Sequence, residues 1–185
     1  AAGVNAGNSI ESGGNYNVVV GDEAGTAITT GDNNVAVGYN AGAVVTTGVQ
    51  NTLIGAEAGE AITTSNNNVA IGFQSLDADT TGFHNTAVGT SSIGANTTGN
   101  NNTAVGYDVF SSNTTGSNNT ALGVTALAAN TTANGSTGLG YQALQANTTG
   151  ATNVAVGYQA GYANTTGANN VAVGASALLA NTTGN

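Results

Sequence analysis

Apolar and polar positions along this chain recur every 17 residues. The pattern is anchored by an unbroken column of glycines: Gly21, Gly38, Gly55, Gly72, Gly89, Gly106, Gly123, Gly140, Gly157 and Gly174. The residue before each glycine is always Val, Ile or Leu, and the residue three before is always Val or Thr. Between them stands a small residue in most copies, usually Ala. β-Branched residues at alternate positions predict a short strand ending at the glycine. Its Val/Ile/Leu is expected to point inward. The segment after the glycine, such as Tyr141-Gln142-Ala143-Leu144-Gln145-Ala146, reads as a second short extended piece. Asn-Thr-Thr-Gly then follows, for example Asn147 to Gly150, a cluster of turn formers.

Two short strands and two turns in 17 residues make one coil of a parallel β-solenoid, so the expected class is all-β with about ten coils. A helix fits poorly, because each period carries glycine columns and several β-branched residues. Stacked at the ordinary strand spacing of ~4.8 Å, ten coils give a rod on the order of 50 Å long. No coil can bury its apolar residues alone, which is why such units come in arrays. Residues 17–185 form that array, and residues 1–16 read as a degraded first coil or joining segment.

Two further columns bear on packing. Where the fourth residue after the glycine is Gly (Gly25, Gly42, Gly59), the seventh is Ile28, Val45 or Ile62. Where the fourth is large (Leu76, Ile93, Phe110, Leu127, Leu144, Leu178), the seventh is polar: Asp79, Asn96, Asn113, Asn130, Asn147, Asn181. One apolar group leaves as another arrives, as a close-packed interior requires. Gly161 with Asn164 breaks the rule, and neighbouring Tyr162 is the expected substitute. Four residues before the glycine stands Asn17, Asn34, Asn51, Asn68, Asn85, Asn102, Asn119, Asn153 or Asn170, with Ser136 in the remaining copy. These asparagines are expected to stack as a hydrogen-bonded amide ladder. The glycine column is expected to mark positive φ or a tight backbone approach. Both columns are structural.

Composition narrows function by exclusion. The chain has no Lys or Arg, nine acids and a formal charge of −9. Phosphate recognition rests on cations, so nucleic acid is not an expected partner. No run is long and apolar enough for a membrane span. Hydrophobic residues at 39%, fixed in the period, argue for a folded chain rather than a disordered tract.

Candidate chemistry is sparse, and no enzyme, cofactor or metal site is expected. The single His, His84, sits in a turn column otherwise mostly Asn. The acids Glu11, Asp22, Glu23, Asp32, Glu57, Glu60, Asp77, Asp79 and Asp108 do not recur in one column. A solvated flank therefore explains them better than a Ca²⁺ site or an acid–base pair. An aromatic stripe follows the glycine at Tyr39, Phe73, Tyr107, Tyr141 and Tyr158, suited to a subunit interface or to stacking on sugars. Asn-x-Ser/Thr sequons, including Asn96, Asn113, Asn130, Asn147, Asn164 and Asn181, follow from composition. The Thr pairs from Thr29–Thr30 to Thr182–Thr183 raise ice binding as a minor reading, with only one row of each pair expected to face water.

The segments Asn102-Thr-Ala-Val-Gly106, Asn153-Val-Ala-Val-Gly157 and Asn68-Val-Ala-Ile-Gly72 resemble head repeats of YadA-like trimeric autotransporter adhesins. The fuller unit at 141–150 is similar to repeats of phage tail fibres. This resemblance implies a left-handed β-roll with three chains side by side, in an adhesive or spacer segment of an extracellular, cell-surface or virion-surface fibre. It implies self as partner (a homotrimer or homopolymer) and a cell-surface glycan or other receptor as target. A head-to-tail extracellular filament is the alternative.

Overall fold

A computed structural model describes residues 3–10 and 13–184. The chain is a parallel β-solenoid. Ten three-residue strands, β1 (Val18–Val20), β2 (Val35–Val37), β3 (Thr52–Ile54), β4 (Val69–Ile71), β5 (Thr86–Val88), β6 (Thr103–Val105), β7 (Thr120–Leu122), β8 (Thr137–Leu139), β9 (Val154–Val156) and β10 (Val171–Val173), form one sheet in chain order. Each residue pairs with its equivalent 17 positions on, so Val18 faces Val35 and Thr86 faces Thr103. Residues 3–10 reproduce the post-glycine path of a coil: Asn5 and Gly7 have positive φ, and the Gly7 N–H donates to Ala24 at 2.9 Å.

The sheet is built inside out relative to the sequence expectation. The middle strand residue, usually Ala, is buried, while the flanking residues are exposed or half-buried on the outer face. The Val/Ile/Leu before the glycine therefore points outward. The glycine explains this. A Cβ built on Gly55 would lie 2.5 Å from the Gly72 carbonyl oxygen, and its φ of 131° is closed to side chains. Backbones of successive coils touch at this corner. The lumen behind the strand has room mainly for a methyl group, because it must also take larger groups from the facing wall.

That facing wall is not a second strand. After Gly123 the chain makes overlapping turns, with Ala126 N–H donating to Gly123 O (3.2 Å), Ala128 to Thr125 (3.4 Å) and Asn130 to Leu127 (3.0 Å). Thr125 and Leu127, third residues of the first two turns, both have φ of 52°. Such turns require a positive φ at that position. The alternation aims amides at the neighbouring coil, as in Leu127 N–H to Ala143 O and Ala129 N–H to Gln145 O, each 3.0 Å. Strand-like hydrogen bonding is thus achieved without extended backbone.

The fourth position after the glycine carries positive φ in every coil, whether occupied by Gly25 (56°), Ile93 (53°), Phe110 (54°) or Leu144 (53°). Left-handed backbone costs a non-glycine residue about 1–2 kcal/mol. Burying the side chain offsets it with about 1.5–3 kcal/mol. Leu76, Ile93, Phe110, Leu127 and Leu144 are all buried, and so are Ile28, Val45 and Ile62 in the coils with Gly at that position. At Gly161 the space is filled by Leu144 of the preceding coil, whose Cδ2 lies 3.0 Å from where a Cβ would sit. Tyr162 is only half-buried and is not the substitute.

Candidate functional site

Two buried asparagine columns hold the coils in place, and they work differently. In the column before each strand, Oδ1 accepts the backbone N–H of its counterpart one coil on: Asn85 from Asn102 and Asn102 from Asn119, both at 3.0 Å. Its Nδ2 donates to the carbonyl 14 residues later, as from Asn85 to Gly99 at 2.8 Å. Direct amide-to-amide contact occurs there only at Asn51–Asn34, Asn119–Asn102 and Asn170–Asn153 among the described residues. The expected ladder runs instead through the second column. Asn113 donates to Asn96 (2.7 Å), Asn130 to Asn113 (3.1 Å), Asn147 to Asn130 (3.2 Å), Asn164 to Asn147 (2.9 Å) and Asn181 to Asn164 (3.3 Å). The repeat read these residues as sequons and as the polar half of a volume trade. Asn96, Asn113, Asn130, Asn147 and Asn164 are buried, with Nδ2 committed to the ladder, so the folded chain offers them to no glycosyl transfer.

Asp79 heads this ladder. Its Oδ1 accepts from Asn96 Nδ2 at 2.7 Å and from the Gly82 N–H at 3.1 Å, while Oδ2 is buried without a partner. Burial lifts its pKa from 3.8 to about 7, against the opposing hydrogen bonds from Asn96 and Gly82. Asp77 is also raised, first by burial and then by Glu60 and Glu57 nearby. Among the described residues no three His, Asp or Glu side chains converge on a metal position, and no pocket opens. His84 is exposed and meets only the edge of Phe83 at 5.2 Å. Glu11 lies outside the described residues.

The surface carries three ordered arrays. The first is the outer face of the sheet, two columns made only of Val, Thr, Ile and Leu, with Val20, Ile54, Ile71, Leu122 and Leu139 between 37% and 43% exposed. No charged side chain interrupts either column. The second is the aromatic stripe, in which Tyr39, Phe73, Tyr107, Tyr141 and Tyr158 are 44–59% exposed. Tyr141 and Tyr158 stack with centroids 5.4 Å apart and planes 12° from parallel.

No known family, curated protein or solved structure matches this chain.

The third array is the threonine pair. The first Thr sends its hydroxyl to the carbonyl of its counterpart in the next coil, as Thr97 to Thr114 (3.0 Å) and Thr131 to Thr148 (3.2 Å). The second Thr is exposed in every coil from Thr30 to Thr183. The first row thus knits coils together, with Thr80, Thr97 and Thr182 exposed as well, and the second row faces water throughout. Among the described residues no helix is long and apolar enough to cross a membrane.

Sequence reasoning missed the outward apolar face because alternation gives the period of a strand and not its sign. The sign was present in the middle column. Val19, Ala36, Leu53, Ala70, Ala87, Ala104, Ala121, Gly138, Ala155 and Ala172 are never charged, whereas the flanking Val/Thr column admits a hydroxyl in half the copies.

Proposed function

We propose that this chain is a rod-like segment of an extracellular or virion-surface fibre, in which copies pack side by side as a homotrimer through the outer face of the sheet. Its work is mechanical and adhesive, and no catalysis is assigned to it. One observation carries this reading: the sheet's outer face is an uncharged strip in which one column is Val, Ile or Leu in every coil and the other Val or Thr. Three-residue strands are about 10 Å wide, and ten of them at ~4.8 Å cover about 45 Å, an area on the order of 450 Å². That is at the upper end of what a soluble monomer leaves in water. The strip is free of charge while the chain carries −9, so copies can meet there without desolvating an ion. β-Branched side chains on it have little rotamer freedom to lose on association.

The YadA-like resemblance supports the same assembly. Native mass spectrometry and electron microscopy test it. A discrete trimer seen as a short rod is the expected result. Leu122→Glu with Leu139→Glu should return the trimer to folded monomers, since both side chains already point to water. A wild-type monomer at micromolar concentration would overturn side-by-side assembly, and micrometre filaments with a one-chain axial repeat would replace it by head-to-tail stacking.

A further inference from the structure

The aromatic stripe is not a uniform column. From Tyr39 to Tyr141 an aromatic ring stands in every second coil, at Tyr39, Phe73, Tyr107 and Tyr141, with Ala56, Thr90 and Val124 between them. The interval is two coils, about 9.6 Å at the parallel strand spacing. That is close to the length of one disaccharide in an extended β-1,4-linked glycan. In such a glycan each sugar is turned over relative to the last, so every second pyranose presents the same apolar C–H face to the same side. Rings one disaccharide apart meet that face each time, and the small residues between leave room for the inverted sugar. A flat protein partner has no reason to skip every second coil; the continuous Val/Ile/Leu column is the better surface for that.

Two neighbouring features fit the same ligand. The column beside the rings carries half-buried amides at Asn40, Gln74, Gln142 and Gln159, the first two donating to Glu60 (3.2 Å) and Glu57 (2.8 Å). Gln159 Nε2 bonds Gln142 Oε1 at 2.7 Å, which fixes both side chains next to the stacked Tyr141–Tyr158 pair. Gln142 Nε2 and Gln159 Oε1 are then a donor and an acceptor set for sugar hydroxyls. The stacked rings, with centroids 5.4 Å apart, remain 44% and 55% exposed.

Charge selects among glycans. From Tyr39 to Gln159 the ring column and the amide column hold two acidic residues, Glu57 and Asp108, and the chain has no Lys or Arg. A polyanionic glycan would be repelled without compensation; a neutral one is not. The geometry points to a docking track for a single extended, uncharged β-1,4-linked polysaccharide, laid along the rod axis over Tyr39, Phe73, Tyr107 and Tyr141, with Tyr158 stacked against the last ring and ending the alternation. This gives the adhesive part of the proposed fibre a ligand class, and it rests on that reading only in requiring the stripe to remain outside the contact between copies.

Depletion of the purified chain from solution by microcrystalline cellulose or by chitin, with cellulose oxidised at C6 to the carboxylate as the insoluble anionic β-1,4-linked control, tests the track. Binding to at least one of the first two and none to the oxidised cellulose is expected. Replacing Tyr39, Tyr107 and Tyr141 together by Ala should weaken binding on the order of tenfold or more, whereas replacing the same three by Phe should preserve it. The rings are exposed, so circular dichroism of both variants should match wild type. No depletion by either neutral solid, equal depletion of the Ala variant, or a changed native mass of the Ala variant would each overturn the proposal, the last by placing the stripe between copies. Native mass and microscopy of the wild type report on the fibre reading separately, so either can fail alone.

Discussion

Replacing Asp79 by Asn should stabilise the rod at neutral pH and leave it unchanged in acid. In the unfolded chain this carboxyl titrates near 3.8; in the folded chain burial holds it near 7. Below pH 3.8 both states are protonated and the site carries no penalty. As pH rises from about 4 to 7 the unfolded state releases its proton first, so each step favours unfolding. Above 7 both are ionised and the penalty is complete. A rise of roughly 3, at ~1.4 kcal/mol per pH unit, makes it about 4 kcal/mol. The origin is visible in the unpartnered Oδ2. An amide at this position repeats what every later member of the column does: its oxygen accepts from Asn96 and its nitrogen reaches the carbonyl three residues on, as Asn96 reaches Gly99 at 3.0 Å.

Guanidinium unfolding followed by far-UV circular dichroism from pH 4 to 8 measures the difference. The wild type should lose stability across that range. The variant should lose much less, so that the two curves separate by about 4 kcal/mol at pH 8 and converge near pH 4. Asp77 is raised in the same direction and contributes to both proteins, so their difference isolates Asp79. Solenoids can unfold in parts. Amide exchange in the coils around residues 62–96 therefore supplies a local readout. Parallel pH curves for the two proteins, or a variant less stable than wild type at pH 8, would refute the reasoning.

Three more outcomes follow from the same geometry. Gly55→Ala places a Cβ against the Gly72 carbonyl at a φ of 131° and should destabilise by at least ~3 kcal/mol in the same denaturation assay. Leu127→Gly should be no less stable than Leu127→Ala, and up to ~1 kcal/mol more stable, because both empty the same space but only Gly relieves the strain at φ 52°; the usual order, Ala above Gly, would show that the backbone there is unstrained. Asn113→Leu strands the Asn96 oxygen and removes the acceptor of the Asn130 amide, at about 1–3 kcal/mol for each buried group, and amide exchange should accelerate most in the two coils on either side.

The period of 17 made the solenoid legible, because a parallel in-register stack is what an unbroken repeat of that length can build. The corner glycine was legible for the same reason. Half of each coil was not. The stretch from Tyr141 to Ala146 looks extended by composition, and the left-handed φ of Gln142 and Leu144 has no signature in residue types that disfavour it. The one hint was that this fourth position is either glycine or a large apolar residue. A site that accepts Gly25 and Phe110 alike is one where backbone conformation and burial compete, with glycine satisfying the first and phenylalanine the second. Pattern reasoning weighs burial and so read a strand.

The same competition accounts for where chemistry can reside. Every interior column is bound to its copy one coil away by backbone contact, amide ladder or packing, so a reactive group placed there is presented to the neighbouring coil rather than to a ligand. Asp79 illustrates the consequence: the carboxyl that enters the second asparagine column faces Asn96 of the next coil and keeps a buried Oδ2 without a partner. Outward columns are released from this constraint, and only there does the sequence vary in ways that stacking does not demand. Thr137 and Val154 interchange on the sheet face without effect on the register. Tyr107, Val124 and Tyr141 differ along a column whose backbone is the same in all three coils. Variation of this kind, with rings in every second coil from Tyr39 to Tyr141, is what the proposed glycan track accounts for and stacking does not. On a rod of this kind, such departures from the repeat on its exposed columns locate function better than any buried titratable group.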